Sequence, residues 1–488
     1  MINRLYDTSL SLLTDLYQLT MAYGYWKSGK AEQEAVFNLY FRKHPFGGGF
    51  TVACGLSSAI SYLNEYGLSK KDIAYLRTLT GSDGQPLFEE EFLEYLKNLE
   101  FKCDVAAVPE GTVVFPNEPL LRITGPILQC QLLETPLLNL INFQTLIATK
   151  AARMRLVAPD DALLEFGLRR AQGPDGGMTA SRAAYIGGFD ATSNVLAGKL
   201  YGIPIKGTHA HSWVMSFDSE LESFETYARF LPNNVTLLVD TYDTIQGVKN
   251  AIIVGKQLRQ RGHDLGGIRL DSGDLAYLSI EARKLLDAAG FEKTSIVASN
   301  DLDEHIMASL KQQGAKIDVW GVGTKLVTAY DQPALGGVYK LAALKNENGE
   351  WENKVKLSEQ TIKTSTPGIQ QVRRYKNERG FIADMIFDVR DNLSEKIKMI
   401  DPYDFTRQRT FDKKHQYEDL LQTIFQAGKQ NYEIPPIEET KLRVQQQLAQ
   451  FHEGTKRFVN PHTYPVGLEK KLFDEKTALI VKLRGGKE

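Results

Sequence analysis

The sequence contains few cysteines, no long apolar run and almost no net charge. The three cysteines among its 488 residues, Cys54, Cys103 and Cys130, lie far apart and form no CxxC pair. This spacing excludes a disulfide framework and a cysteine-based zinc site, and it favours buried thiols in a reducing compartment. No apolar run approaches the roughly 18 residues of a membrane span, and the N-terminal segment has no signal-peptide core. We therefore expect a soluble, cytoplasmic protein.

The small net charge excludes a further class of partner. The chain has 58 Lys and Arg residues against 60 Asp and Glu residues, a formal charge of −2. A dedicated binder of nucleic acid or of anionic membranes has a strongly basic surface, so we expect neither partner. Hydrophobic residues make up 42% of the chain, which excludes disordered and collagen-like classes. The length exceeds that of one typical domain and predicts several.

The sequence does have a regular alternation of strand-like and helix-like segments between residues 160 and 325. Short apolar runs recur there roughly every 20–40 residues, which is the spacing of a βα unit. These runs begin at Ala162, Ile203, Val235, Gly267, Ser295 and Ile317. The helix-like segments between them have Asp, Ser or Asn available as N-caps. Alternation of this kind predicts parallel strands.

A polar cluster follows each of these runs. The clusters are Arg169-Arg170, Lys206 to His211, Asp240 to Asp243, Asp271 to Asp274, Ser299 to Asp301 and Gly321 to Thr324. In a (β/α) barrel the carboxyl ends of the strands form one rim, and that rim holds the active site. A Rossmann sheet would use its switch point, and no GxGxxG follows a strand here. We therefore predict an α/β fold with a TIM-like (β/α) barrel, complete or incomplete in strand number, over residues 146–335.

The regions on either side of the predicted barrel have a different pattern. Residues 1–145 begin with a helix-like segment and continue with β-like runs punctuated by Pro and Gly, which predicts an α+β domain. Residues 336–400 contain strand-like runs that we expect to complete that domain or a sheet beside it. Residues 401–488 are charged and Gln-rich, and a helix is predicted from Ile437 to His452. We expect this last region to pack as a C-terminal appendage.

Two of the polar clusters have residue types that bind anions. Arg169 and Arg170 precede a glycine-rich loop, and Arg binds carboxylate or phosphate through two hydrogen bonds. Solvated surface charge is the alternative interpretation of this pair. The glycines between Gly321 and Thr324 would let backbone N–H groups approach a phosphate, and a tight turn is the alternative there.

Arg269 and a pair of histidines are the other candidates. Arg269 lies inside an otherwise apolar run, so it must be paired when buried. It either pairs structurally with Asp271 or holds an anionic substrate. His209 and His211 have a spacing that can ligate zinc, but no third ligand is evident, so we expect no zinc site. Asp240 could orient one of the two histidines.

Eight segments taken together are more specific than any single cluster. In chain order they are TDLYQLTMAYGYW, FRKHPFGGGF, EFGLRRAQGPDGGMTAS, GTHAHSWVMSF, LLVDTYDT, GIRLDSGDL, SNDLDE and GVGTKLVTAYDQPALGGVYKL. In these segments the chain resembles the nicotinate phosphoribosyltransferase family. The region after residue 400 carries less of the resemblance.

The resemblance implies a reaction and a set of site residues. Nicotinate and 5-phosphoribosyl 1-pyrophosphate would give nicotinate mononucleotide and pyrophosphate in NAD salvage, coupled to hydrolysis of ATP to ADP and phosphate with Mg²⁺. It implies a phosphohistidine at His211, whereas His209 occupies a variable position and receives no role. Nicotinate would contact Tyr17, Thr208 and Arg269. It also implies a homodimer in which Tyr17 reaches the partner's site.

The remaining assignments combine the resemblance with the chemistry of the residues. Asp240 joins His211 as a catalytic candidate. The residues expected to bind the phosphoribosyl and pyrophosphate groups are Arg169, Arg170, Asp271, Ser272, Gly273, Ser299, Asn300, Gly321, Gly323 and Thr324. The ligands of Mg²⁺ stay unassigned.

Alternatives stay open at this point. A phosphoribosyltransferase for nicotinamide would not require Arg269, and one for quinolinate would require additional cations. A non-catalytic barrel that binds a phosphorylated metabolite would keep the Gly321 to Thr324 segment and would not need His211. A base-exchanging enzyme acting on RNA is disfavoured by the charge balance.

Overall fold

The computed structural model describes residues 9–360, 363–393, 395–412 and 414–485. The chain divides into two compact units. The first is made of residues 1–146 and 334–488, and the second of residues 147–333. The first unit is thus built from both ends of the chain.

The N-terminal part of the first unit alternates short helices and strands. Its elements are α1 (Leu16–Lys27), β1 (Glu34–Phe41), β2 (Thr51–Val52), α2 (Leu56–Asn64), α3 (Lys70–Leu76), α4 (Glu90–Lys97), β3 (Asp104–Ala107), β4 (Val113–Val114), β5 (Leu121–Pro126), α5 (Ile127–Leu132) and the part of α6 (Glu134–Val157) up to residue 146. Helix α3 begins with a capping box between Ser69 and Asp72. Gly55 precedes α2 with φ +104°, and a Cβ there would lie 2.4 Å from the Leu140 carbonyl oxygen, so this position requires glycine.

The second unit consists of βα units around a parallel sheet. Its elements are β6 (Ala162–Glu165), α7 (Gly173–Ile186), β7 (Ala191–Thr192), α8 (Val195–Tyr201), α9 (His211–Met215), α10 (Glu220–Phe230), β8 (Thr236–Leu238), α11 (Thr244–Gln260), β9 (Gly267–Leu270), α12 (Leu275–Ala288), β10 (Ser295–Ala298), α13 (Glu304–Gln312), β11 (Val319–Val322) and α14 (Thr324–Val327). The strand order is β7-β6-β11-β10-β9-β8, and every pairing in it is parallel. The predicted α/β class is confirmed.

Aspartates fix the start of three helices in this unit. The carboxylates of Asp243, Asp274 and Asp303 accept hydrogen bonds from backbone N–H groups in the first turns of α11, α12 and α13. Asp243 and Asp274 confirm the expected N-caps, whereas α13 is capped by Asp303, two residues beyond the Ser299 to Asp301 cluster that was expected to cap it. Because the strands are parallel, the segments that follow their carboxyl ends lie along one edge of the sheet.

The two ends of the sheet differ from the prediction. The run that begins at Ile203 was expected to form a strand, but it makes only a single parallel bridge, between Ile205 and Thr192 of β7. Strands β7 and β8 stand at the two ends of the strand order, and no pairing joins them among the residues the structure describes. Pro204 has no N–H to donate to a ladder, which limits pairing in this short run.

The C-terminal part of the first unit is rich in strands. Its elements are β12 (Gly337–Lys345), β13 (Trp351–Asn353), β14 (Gln370–Asn377), β15 (Gly380–Asp388), β16 (Lys396–Ile400), β17 (Gln408–Asp412), β18 (Gln416–Asp419), β19 (Gln422–Gln426), β20 (Lys429–Gln430), α15 (Ile437–Gln450), β21 (Val466–Glu469) and α16 (Lys470–Leu483). One sheet has the order β13-β12-β1-β5-β3-β19-β20, and another has the order β17-β16-β21-β15-β14-β18. Strands β2 and β4 pair separately.

The expectation of a C-terminal appendage was wrong. Strand β19 pairs with β3 from the N-terminal part, and β21 lies between β15 and β16. The buried Arg374 side chain joins these segments, because it pairs with Asp384 and donates to Gln447 of α15 and to the Val113 carbonyl. The strands of this region are short and carry polar residues on their exposed faces, which obscures the alternation that would have predicted them.

Within the described ranges, no helix is both long enough and apolar enough to cross a bilayer.

Candidate active site

Arg269 is held in place by three neighbours at the edge of the parallel sheet. Its Nε donates to Ser299 Oγ at 2.8 Å, Nη1 donates to Thr208 Oγ1 at 3.1 Å, and Nη2 donates to Asp271 Oδ1 at 2.8 Å. A guanidinium has five N–H donors. These bonds therefore leave one N–H on each terminal nitrogen, which suits bidentate binding of a carboxylate or phosphate.

Asp271 connects Arg269 to its surroundings. Its Oδ1 also accepts a hydrogen bond from Ser299, and its Oδ2 lies 3.7 Å from Nε2 of His211. Burial opposes ionisation of Asp271, but the Ser299 hydrogen bond and the Arg269 charge outweigh it and lower the pKa of this carboxyl. Asp271 is therefore ionised at neutral pH and stabilises the positive charge of Arg269.

His211 is the first residue of the short helix α9. Its Nδ1 lies 3.1 Å from Thr241 Oγ1, and Asp271 faces its other nitrogen. The side chain is 40% exposed, so a ligand can reach it. The ring is thus positioned by Thr241 on one side, and Asp271 faces it on the other.

His209 has a structural role that the sequence did not indicate. Its Nε2 accepts a 3.2 Å hydrogen bond from the Leu238 N–H of β8, so the ring is unprotonated at that nitrogen. Burial, together with the charges of Arg269 and His211, lowers the pKa of His209 to about 4. The neutral ring thus accepts a hydrogen bond from a backbone N–H of β8, which is the last strand in the sheet order.

Asp240 does not orient either histidine, in contrast to the hypothesis drawn from the sequence. Its Oδ2 accepts hydrogen bonds from the Asp271 N–H at 2.8 Å and from the Ser272 hydroxyl at 2.6 Å. The carboxylate beside His211 is Asp271. Asp240 follows β8 by two residues, and its carboxylate is engaged by the backbone and the hydroxyl that follow β9.

The other oxygen of Asp240 is a candidate cation ligand. Oδ1 is buried and has no hydrogen-bond partner within the described part of the chain. No group of three or more His, Cys, Asp or Glu side chains placed to hold a metal occurs among those residues. Mg²⁺ usually binds through one or two carboxylates together with substrate phosphates and water, so a single open carboxylate oxygen fits it.

A cavity of about 370 Å³ opens beside these side chains. That volume lies within the range of small-molecule sites. The lining residues are Phe166, Leu168, Arg169, Ser193, Gly207, Thr208, His209, Ala210, His211, Leu238, Arg269 and Asp271. The structure therefore brings together Thr208, Arg269, Asp271, His211 and Arg169, as expected for a shared site.

Several of the predicted phosphate-binding residues have other surroundings. Ser299 is buried and is engaged with Arg269 and Asp271. Asn300 is exposed, has φ +96° and bonds to the Asp301 N–H. Arg170 is exposed outside the cavity lining, and Ser272 and Gly273 lie in the exposed turn before α12.

Gly321 within β11 and Gly323 directly after it have different surroundings. A Cβ at Gly321 would lie 2.7 Å from the Phe166 ring, so this glycine lets Phe166 pack against β11. At Gly323 the nearest atom to a Cβ would be 3.5 Å away, so packing does not demand glycine there. Gly323 is partly buried and precedes Thr324, the first residue of α14, a position that stays compatible with a phosphate contact.

Sequence reasoning missed Glu165 and Phe166. Glu165 is buried at the end of β6 and accepts hydrogen bonds from Ser181, Thr192 and the Gly167 N–H, which fixes the loop that carries Arg169. The Arg269 guanidinium lies over the Phe166 ring at 5.7 Å. A charged residue inside the apolar run ALLEF is the same signal that identified Arg269, and it could have found Glu165.

Tyr17 lies in the first unit, on α1. Its side chain is 48% exposed, and Leu13, Leu16 and Met21 nearby are also exposed. An exposed apolar patch of this kind is typical of an interaction surface.

These features define a class of protein. A parallel α/β sheet with a cationic, carboxylate-lined cavity at the carboxyl ends of its strands is typical of an enzyme that acts on a small anionic molecule.

The comparisons with known proteins identify the family. The nicotinate phosphoribosyltransferase (NAPRTase) N-terminal domain matches residues 12–142, the nicotinate phosphoribosyltransferase (NAPRTase) family matches residues 162–382, and the corresponding C-terminal domain matches residues 369–476. A nicotinate phosphoribosyltransferase of Bacillus subtilis (strain 168) is 45% identical over 97% of this chain and 96% of its own length. The Homo sapiens enzyme of the same name is 37% identical over 94% of this chain and 95% of its own length.

Solved structures agree with this result. The crystal structure of human nicotinic acid phosphoribosyltransferase superposes with a TM-score of 0.84 at 34% identity, covering 96% of this chain and 99% of that one. Nicotinate-nucleotide pyrophosphorylase from Pyrococcus furiosus shares the fold, with a TM-score of 0.69 at 20% identity over 91% of this chain and 96% of that one. The chain belongs to the nicotinate phosphoribosyltransferase family of enzymes.

Proposed function

We propose that this chain transfers the phosphoribosyl group of 5-phosphoribosyl 1-pyrophosphate to nicotinate. The bond between the anomeric carbon and the pyrophosphate oxygen breaks, and its electron pair leaves with pyrophosphate. The ring nitrogen of nicotinate bonds to the anomeric carbon and gives nicotinate mononucleotide. The observation that carries this proposal is Arg269, which is fixed by three hydrogen bonds and keeps two N–H groups for a carboxylate.

Nicotinate is a planar aromatic carboxylate, and its two parts require different contacts. The carboxylate accepts hydrogen bonds from Arg269, and the Thr208 hydroxyl lies beside that guanidinium. Tyr17 supplies an aromatic face for the ring. Nicotinamide has no negative charge to offset the guanidinium, which favours nicotinate over the amide.

The phosphoribosyl step depends on electrostatics more than on a protein nucleophile. Displacement at the anomeric carbon develops positive charge on the sugar and negative charge on pyrophosphate. Arg169 lines the cavity and has no ion pair with a described residue, so its guanidinium is available for the leaving phosphates. Arg170, Gly323 and Thr324 complete the phosphate contacts, and the Asp271 carboxylate stabilises the sugar cation.

Mg²⁺, when bound, neutralises the charge of the leaving pyrophosphate, and Asp240 is the residue that would hold it. Its buried Oδ1 has no partner within the described ranges, while Oδ2 is anchored by Asp271 and Ser272. The anchoring keeps the open oxygen in place.

His211 serves the ATP step. Its imidazole attacks the terminal phosphorus of ATP, the bond to the bridging oxygen breaks, and ADP leaves with that electron pair. Water later hydrolyses the phosphohistidine. The phosphoryl group adds negative charge close to Asp271, which lies 3.7 Å from the ring, so it changes the electrostatics around Arg269.

The architecture fits an incomplete TIM-like barrel and a dimer with shared sites. The parallel pairing runs from Ile205 through β7 to β8, and His209 accepts a hydrogen bond from the β8 N–H at the end of the sheet.

The exposed apolar side chains around Tyr17 form the dimer surface, and Tyr17 enters the partner's cavity. The three cysteine side chains are buried, which suits a cytoplasmic location.

The test is a product assay with labelled nicotinate and 5-phosphoribosyl 1-pyrophosphate. We expect nicotinate mononucleotide and pyrophosphate in equal amounts, and a lower rate when ATP is omitted. A protein that binds both substrates and forms neither product would support the non-catalytic alternative instead.

A further inference from the structure

A second cationic cavity lies in the first unit, and the function proposed above does not use it. Its volume is about 610 Å³. It lies beside the sheet that contains β15, β16 and β21, and the residues lining it include Thr366, Ile386, Leu468 and Lys476. Helix α16 packs against β16 and β21 and presents Lys476 to this space.

Lys476 is an unusual residue for such a position. It follows Leu472 by one turn of α16, on the same side of the helix, and it is 91% buried given its relative exposure of 9%. Its Nζ donates one hydrogen bond, to Thr366 Oγ1 at 3.0 Å. An ammonium group has three donors, so two stay without a protein acceptor among the residues described.

Among the residues that the structure describes, no counter-charge compensates this ammonium. Within the described ranges, no carboxylate lies within ion-pair distance of Nζ, and burial by itself lowers the pKa of Lys476 to about 8. The group therefore stays largely protonated at pH 7. The neighbouring acids on α16 are used elsewhere, because Asp474 pairs with Lys470 and Glu475 bonds to Asn353. A buried charge without a partner is unfavourable unless an anion joins it.

The rest of the lining also favours an anion. Arg409 points a guanidinium at the Ile382 carbonyl and has no ion pair with a described residue. Asp401 is the one carboxylate among the described lining residues, and its Oδ1 already accepts the Tyr403 N–H at 2.8 Å. Among the described residues, neither Lys476 nor Arg409 has a carboxylate partner, and Asp401 is held by its own loop.

We propose that this cavity binds a phosphoryl oxyanion, with Lys476 and the Thr366 hydroxyl as its first contacts and Arg409 as a second cation. A phosphate monoester carries about −1.5 to −2 charges at pH 7, which compensates two cations, whereas a carboxylate compensates one. Lysine is a common point-charge binder of phosphate. The oxyanion is supplied either by free phosphate or by a phosphorylated metabolite, and the volume accommodates both.

The test compares thermal stability of the full chain during titration with inorganic phosphate and with AMP, at constant ionic strength. We expect a saturable rise in Tm for the wild-type protein. For Lys476→Met, the ligand concentration that gives half of this rise should be at least roughly tenfold higher. Lys470→Met is the matched control, because Lys470 is an exposed lysine on the same helix, and it should behave as the wild type. Without ligand, Lys476→Met should be at least as stable as the wild type, because it removes an uncompensated buried charge.

A second measurement separates this site from the active-site cavity. Crystals of the wild-type chain soaked in tungstate should show anomalous density within hydrogen-bond distance of Lys476 Nζ. A Lys476-dependent rise in Tm with inorganic phosphate identifies free phosphate as the ligand. A rise with AMP alone identifies a phosphate monoester. Equal midpoints for the wild type and Lys476→Met, or tungstate only at other positions, would overturn the proposal.

Discussion

Arg269 Nη2 donates a 2.8 Å hydrogen bond to Oδ1 of Asp271, two residues further along the same segment. This pairing fixes the guanidinium and directs its unused N–H groups at the cavity. The same carboxylate faces His211 at 3.7 Å, so one aspartate lies between the proposed substrate anchor and the proposed phosphorylation site. The arrangement connects the two halves of the proposed reaction.

Replacing Arg269 by alanine should weaken nicotinate binding. The lost charge-assisted hydrogen bonds correspond to roughly 1.5–3 kcal/mol, so we expect the KM for nicotinate to rise more than about tenfold. Steady-state kinetics with saturating 5-phosphoribosyl 1-pyrophosphate measures this. Arg229→Ala, on the exposed end of α10, is the control and should leave KM unchanged. An unchanged KM in Arg269→Ala would remove Arg269 from the carboxylate role.

His211 should accept the terminal phosphoryl group of ATP. Incubation with γ-labelled ATP should give an acid-labile label on the wild-type protein and none on His211→Asn. His209→Gln is the matched control two residues away and should keep the label, since His209 is engaged with the β8 backbone. The phosphohistidine assignment fails if wild-type protein stays unlabelled or if His211→Asn retains the label.

Asp240→Asn should raise the Mg²⁺ concentration required for half-maximal activity about tenfold, because it removes the charge of the open oxygen. A Mg²⁺ titration of the reaction rate measures this change. Asp243→Asn is the control, because Asp243 caps α11 and asparagine is an equally good N-cap. If both variants require the same Mg²⁺ as the wild type, Asp240 is not a ligand.

His209 should make the protein sensitive to acid. The pKa of His209 falls from its ordinary 6.5 to about 4 in the folded state, so the unfolded chain binds a proton between these pH values that the folded chain excludes. The free energy of unfolding is therefore unaffected by His209 above about pH 6.5. As the pH falls from there towards 4, protonation of His209 in the unfolded chain lowers this free energy by up to about 1.4 kcal/mol per pH unit.

A comparison of Tm between pH 7 and pH 5 measures this contribution. His209→Gln should lose less stability on acidification than the wild type, whereas His263→Gln, in the turn after α11, should follow the wild type. All three proteins should still lose stability in acid because of His44, whose pKa is lowered to about 3 by burial. The interpretation is wrong if His209→Gln has the same acid slope as the wild type.

Shared sites should be visible by complementation. Tyr17→Ala and His211→Asn chains are each expected to be nearly inactive, and mixing them under conditions that exchange subunits should restore part of the activity. In a mixed dimer one cavity would receive an intact Tyr17 and an intact His211. Absence of any recovery, with subunit exchange verified by mass, would favour sites contained within one chain.

The sequence predicted the features that are local in the chain. A charged residue in an apolar run identified Arg269, and aspartates before apolar stretches identified the caps of α11 and α12. The cap of α13 is Asp303, which lies beyond the expected Ser299 to Asp301 cluster. Contacts between distant segments could not be predicted. The bond from Leu238 to His209 spans 29 residues, and it depends on where the pairing of strands stops.

The same limit applies to the C-terminal region. Strand β19 has no apolar run that indicates a partner, and it pairs with β3 more than 300 positions earlier because its Ile424 and Phe425 are buried. Ser299 illustrates a second limit. Its residue type suits a phosphate contact, yet its hydroxyl is engaged by Arg269 and Asp271 once the neighbouring strands align.

The most direct test of the central claim measures kcat/KM for nicotinate, nicotinamide and quinolinate with 5-phosphoribosyl 1-pyrophosphate and ATP. Arg269 offers one guanidinium to one carboxylate, so we expect nicotinate to exceed each of the other two pyridines by at least about tenfold. A protein that turns over nicotinamide or quinolinate as well as nicotinate, or that does not turn over nicotinate, would contradict this account.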